Sequence, residues 1–127
     1  MPVTLTVKQL VDAAASGALA RYFSIEKPVT VSWQNRKQVA ACEEEHKRCD
    51  ALRVELCKKH GRLDEKTKNY VFVGEGLAAD APFLFNADMT SLLAQEVQLP
   101  GEPVSVSLLA GKLTERDLFF LEPFLTD

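Results

Sequence analysis

The chain has no apolar run near the roughly 18 residues a membrane-crossing helix requires, so no spanning helix is expected. It has three cysteines, an odd count without framework spacing, which excludes a disulfide scaffold and suits a reducing compartment. It has no internal repeat and no low-complexity tract. There is no G-x-x-x-x-G-K-[ST], no G-x-G-x-x-G, no G-x-S-x-G and no H-E-x-x-H. Those absences remove the common signatures of nucleotide hydrolysis, dinucleotide binding, α/β-hydrolase chemistry and zinc proteolysis. The opening MPVTLTVKQLVDAAASGALARYF lacks a basic stretch before an apolar core and is interrupted by Lys8, Gln9 and Asp12. No secretory signal is expected from it, and the expected location is the cytoplasm.

What is present is the composition of an ordinary soluble globule: 46% apolar and 26% charged over 127 residues. That length suits one domain, residues 1–127, able to bury roughly two-thirds of its unfolded surface without disulfide or metal. The net charge of −3 argues against a nucleic-acid partner held by phosphate contacts.

Hydrophobic spacing predicts an α+β fold dominated by helices, with a long central amphipathic helix and a small antiparallel sheet or hairpin. Thr6 is placed to cap a first helix, with Leu10, Val11 and Ala14 on one side and Gly17 as its stop. VTVSW, after Pro28, reads as strand or as the first turns of the long helix, and helix is favoured. The long helix then runs to residue 60. Val39, Cys42, His46, Cys49, Leu52 and Leu56 recur at three or four to form its stripe, and Lys58, Lys59 and His60 complement its dipole before Gly61 as the C′ residue. RLDEKTKN reads as a polar loop and NYVFVG as a strand. Asn86 reads as the cap of a helix carrying Met89, Leu92 and Leu93 inward, and VQLPGEPVSVSLL as a hairpin about Pro100 and Gly101. Thr114 begins a T-x-x-D capping box for a last helix with Leu118, Leu121 and Leu125 inward.

The stretch ACEEEHKRCDALRVELCKKHGRLDEKTKNY holds every cysteine and histidine. Cys42 and Cys49 lie seven residues apart, about 10.5 Å along a straight helix, too far to share an ion or form a disulfide. They read as small buried hydrophobes, with no metal or cofactor. Cys57 and His60 at i,i+3 could form a dyad, but no third group to orient the imidazole is visible. No enzyme is read from this chain.

The order of features carries a resemblance. K-P-V-x-V-S-W leads into a long charged helix, followed by K-x-G-x-x-D-E-K, an aromatic strand, L-L-x-x-E-V-x-L and a terminal helix from Thr114. Through Lys27, Pro28, Val29, Ser32, Lys59, Gly61, Asp64, Glu65, Glu96 and Val97 this resembles a family of small uncharacterised proteins, a domain of unknown function, encoded by tailed phages and prophages. The chain departs from that pattern at His60, where an aromatic is usual, and in its alanine-rich N-terminus. The resemblance implies a phage setting, hence host-cell cytoplasm, and the fold; it carries over no catalytic residue. The expected function is that of a non-enzymatic phage or prophage accessory protein acting through protein–protein contacts, on phage or host protein, and through self-association as a dimer or higher oligomer. Trp33, Leu52 and Leu56 are the expected interface residues. The alternative is a small-molecule binder that sequesters a nucleotide-type signal, using Trp33, Lys66, Lys68 and Tyr70.

Overall fold

The computed structural model describes residues 2–109 and 111–127. Its elements run β1 (Val3–Thr6), α1 (Val7–Ala15), α2 (Ala18–Ser24), α3 (Val29–His60), β2 (Arg62–Asp64), β3 (Asn69–Val71), α4 (Ala81–Leu93), β4 (Glu96–Leu99), β5 (Val104–Ser105), α5 (Glu115–Phe120) and β6 (Leu125–Thr126). Single 3₁₀ turns cover Val106–Leu109 and Glu122–Phe124. The fold is α+β and helix-dominated, around a long central helix and small two-stranded sheets. No helix among the described residues is long and apolar enough to cross a membrane. VTVSW is the start of α3, whose 32 residues correspond to a rise of about 48 Å. The chain separates into two compact units, Met1–His46 with Glu96–Asp127, and Lys47–Gln95.

The first unit holds most of the buried apolar side chains. β1 and β4 pair antiparallel, Val3 opposite Leu99 and Leu5 opposite Val97, and all four side chains are buried while Thr4 and Gln98 are not. Thr6 ends the strand and caps α1 in a full capping box: its Oγ1 accepts from Gln9 N at 3.1 Å, and Gln9 Oε1 accepts from Thr6 N at 2.8 Å. Because β1 leads straight into the helix, α1 buries Val7, Leu10 and Ala13. The face is rotated from the expected one: Val11 is half-buried and Ala14 exposed. Lys27 closes α2, donating to the carbonyls of Tyr22 and Ile25 with its ammonium 4.6 Å from the Tyr22 ring centroid. Thr114 caps α5 as expected, with Asp117 as the return partner.

Asp117 is also buried, and Arg21 of α2 grips both of its oxygens, Nε donating to each at 3.0 Å. The terminal segment therefore turns inward at Asp117, Leu121 and Phe124, and leaves Leu118 exposed and Leu125 half-buried, against the expected Leu118, Leu121, Leu125 face. The switch from α5 to a 3₁₀ turn at Pro123 shortens the repeat to three residues, so Leu121 and Phe124 share a side.

The expected hairpin between residues 97 and 106 does not form. β4 pairs with β1, and β5 pairs parallel with β6. The connecting loop is held instead by amides on α3. Gln34 Nε2 donates to Glu102 O at 2.7 Å and Gln34 Oε1 accepts from Glu102 N at 2.9 Å. Gln38 Nε2 donates to Pro100 O at 3.0 Å. Gly101 has φ +88°, and a Cβ there would fall 2.2 Å from Gln34 Cγ, so both conformation and space require glycine.

Those contacts also correct the buried stripe of α3. In this unit its buried positions are Asn35, Gln38 and Cys42, with Val39 half-buried and His46 exposed. Gln38 Oε1 in turn accepts from Asn35 Nδ2 at 3.0 Å, and the same amide reaches the Tyr22 hydroxyl at 3.3 Å. The Pro100 carbonyl only accepts, so this chain fixes each amide's orientation and leaves Asn35 Oδ1 without a hydrogen-bond partner. Periodicity favours apolar residues for a buried face and passes over these amides.

The second unit comprises the remainder of α3, the β2–β3 hairpin and α4. The hairpin has Leu63 opposite Tyr70, so RLDEKTKN is half strand and not all loop. Asp64 organises its turn: its carbonyl accepts from Lys68 N and its Oδ1 from Lys66 N. Gly61 follows α3 without a positive φ; a Cβ there would lie 2.8 Å from the Phe72 ring and from Val71 O. It is a close-approach glycine rather than a left-handed cap. α4 starts at Ala81, five residues before the expected cap, because Pro82 fits its first turn. Asn86 is inside that helix, its carbonyl accepting from Thr90 Oγ1.

Two outcomes are expected. Gln38→Leu strips partners from the Pro100 carbonyl and the Asn35 amide and should lower unfolding free energy by about 1–3 kcal/mol in denaturant titration. Arg21 holds the Asp117 carboxyl below the usual aspartate range. A depressed folded value stabilises above the unfolded pKa, about 3.9, and that contribution is lost as pH falls through the folded value. Asp117→Asn should therefore melt lower than wild type at pH 7, with the gap closing towards pH 3 by circular dichroism.

Candidate functional site

Within the second unit, α3 and α4 border a cleft of about 350 Å³ lined by Leu52, Glu55, Leu56, Lys59, Asp88, Ser91, Leu92 and Gln95. The α3 residues fall at i, i+3, i+4 and i+7, one helical face, and Asp88, Ser91 and Leu92 repeat the spacing on α4, with Gln95 just past its end. Leu52, Leu56 and Leu92 supply the apolar surface. Leu52 is 39% exposed, and Glu55, Lys59, Ser91 and Gln95 are exposed too, so this is an open groove rather than an enclosed pocket.

At one end of the groove His60 Nε2 lies 2.6 Å from Asp88 Oδ2, and Lys59 Nζ lies 3.6 Å from the same oxygen. The His60 contact, with Lys59 adding to it, holds the Asp88 carboxyl below its usual range. Asp88 thus supplies the orienting group for His60 that the sequence did not display. Its partner is 28 residues away, a separation for which local spacing has no signal. Among the described residues no three His, Cys, Asp or Glu side chains converge where they could hold a metal ion.

The expected interface residues separate. Leu52 and Leu56 line the groove. Trp33 belongs to the first unit, near the start of α3, 61% exposed, with Lys37 Nζ 6.0 Å from its ring centroid. Of the expected ligand residues, Lys66, Lys68 and Tyr70 belong to the hairpin of the second unit. The two lysines are exposed on its turn, Lys68 with φ 62°, and Tyr70 is half-buried. Neither unit contains Trp33 together with those three. Leu92 was expected to face inward on α4, whereas Asp88, Ser91 and Gln95 were assigned to no site, because no local spacing shows which face of α4 meets α3.

The cysteines are all free thiols. Cys42 is buried as expected, and burial, with Glu43 and Glu45 adding to it, pushes its pKa up to about 11. Cys49 is only half-buried, a correction to the expected inner-face position, and Cys57 is buried.

No protein-family model matches the chain, and neither curated proteins nor solved structures yielded a match.

Thiol labelling of the native protein should follow that burial order. Cys49 should react first with a maleimide near pH 7.5, and Cys42 only on unfolding, because a thiol must be reached and ionised to attack. Peptide mass spectrometry showing Cys42 labelled as fast as Cys49 would contradict the assigned packing.

Proposed function

We propose that the protein is a non-enzymatic phage or prophage accessory protein that works through protein–protein contact and self-association. The observation that carries this reading is the open, leucine-lined groove on α3 and α4, a shape suited to a helical or flat protein surface. Exposed Trp33 adds a second apolar element of the kind that anchors interfaces. The phage setting rests on the resemblance carried by Lys27, Pro28, Val29, Ser32, Lys59, Gly61, Asp64, Glu65, Glu96 and Val97. The contact reading is adopted over the small-molecule alternative because the groove is open rather than enclosed.

Multi-angle light scattering behind size exclusion tests the self-association. The mass at micromolar concentration should be twice the 14.1 kDa chain or a higher multiple, and should fall on dilution. A single-chain mass that does not change on concentration removes self-association from the function.

A further inference from the structure

We propose that the surface around α5, in the first unit, docks an extended protein segment that carries a lysine or arginine between two apolar side chains. This goes beyond the contact reading above: it concerns a different surface and names the chemistry of its partner. Two clefts flank α5. One, of about 180 Å³, is lined by Val106, Leu118, Glu122, Leu125, Thr126 and Asp127. The other, of about 210 Å³, has Phe119, Phe120 and Pro123 as its apolar wall. Glu122 lines both, so its carboxylate stands at their shared border. The core creates this surface. Arg21 grips Asp117, and the terminal segment buries Asp117, Leu121 and Phe124, so Leu118 and Phe119 are turned outward, Phe119 to 73% exposure.

Size bears on the kind of occupant. Small-molecule sites run roughly 300–1,000 Å³. Each of these clefts is smaller and suits a single apolar side chain. A helical partner would need one continuous groove, and Glu122 interrupts this one. Two anchors laid across α5 suit an extended segment, whose side chains two apart share a face. A helix with its side chains is about 10–12 Å across, close to the roughly 13 Å between strand positions i and i+4.

Charge selects the partner. In the first cleft both charged groups, Glu122 and Asp127, are acidic. In the second, Lys8 already pairs with Asp12 at 3.1 Å, and Gln9 is committed to the Thr6 capping box. Arg116 lies over the Phe120 ring, 5.8 Å from its centroid, and lines neither cleft. Among the described residues the Glu122 carboxylate has no ion-pair or hydrogen-bond partner. The uncommitted charge is therefore of one sign. It recruits a basic group and repels the same face of a second copy. A free carboxylate between two apolar clefts also sets the order: the cation meets Glu122, with an apolar side chain to either side. The pattern is apolar-x-basic-x-apolar.

The test measures fluorescence anisotropy of labelled peptides with the full chain. SGLSRSFGS carries the pattern, SGLSESFGS reverses its charge and SGSSRSSGS lacks its anchors. Glu122→Lys reverses the charge at the exposed border position, and Glu75→Lys makes the same change at an exposed position of the other unit. The expected result is that SGLSRSFGS binds wild type and Glu75→Lys equally. Binding should weaken by about tenfold or more with either other peptide, and in Glu122→Lys folded by circular dichroism. Equal binding of SGLSESFGS, full binding by folded Glu122→Lys, or no binding of SGLSRSFGS overturns the proposal. If Glu122→Lys does not fold, amide NMR of wild type with SGLSRSFGS decides. Shifts at Leu118, Phe119, Glu122 and Leu125 support the site, and shifts confined to the other unit overturn it. A folded Glu122→Lys with a lower mass than wild type in light scattering places a second copy on this surface and overturns the basic partner.

Discussion

The buried amide of Gln38 is the contact on which the first unit is organised. It binds a carbonyl of the β4–β5 loop on one side and Asn35 on the other, while Gln34 takes both backbone groups of Glu102. A loop whose polar groups are satisfied by a helix has no need to close on itself as a hairpin. β4 is thereby free to pair with β1, and the chain beyond Pro103 runs on to pair β5 with β6. The cost is the buried Asn35 Oδ1, left without a partner. An apolar replacement on this face of α3 would remove the donors that the loop requires.

Arg21 and Asp117 supply the complementary long-range link. They tie α2 to the cap of α5 across 96 residues of sequence. Asp117 serves twice, accepting from Thr114 N within its own helix turn and from the guanidinium across the core. A carboxylate with that many donors stays ionised, which is why its burial is tolerated. Around it Tyr22, Leu121 and Phe124 are fully enclosed, with the Tyr22 and Phe124 rings 5.7 Å apart.

The two units differ in what holds them. The first has a layered apolar core and buried polar bonds. The second has an aromatic pair, Phe72 with Phe85 at 4.3 Å, a three-residue-pair hairpin and the His60–Asp88 contact. Lightly buried regions are those that open most easily and those from which binding surfaces are drawn. The groove lies in this lightly buried unit, and exposed Trp33 lies in the other, near the start of α3.

The sequence by itself determined what depends on near neighbours. The capping boxes at Thr6 and Thr114, the length of α3, the exclusion of a disulfide between Cys42 and Cys49, and the pairing of Leu52 with Leu56 on one helical face all follow from spacings of a few residues. The tertiary structure decided what depends on partners far away in the chain. Which face of α3 is buried was set by loop carbonyls some sixty residues on, so amides lie where periodicity places apolar side chains. The strand partners of β4 and β5 and the contact of His60 with Asp88 arise in the same way. The α3 side of the groove and Leu92 on α4 were legible; the packing of those two faces against each other was not, because it joins residues about thirty or more positions apart. Local hydrogen bonds are specified by local residues, whereas a buried polar group takes whichever partner the folded chain brings to it.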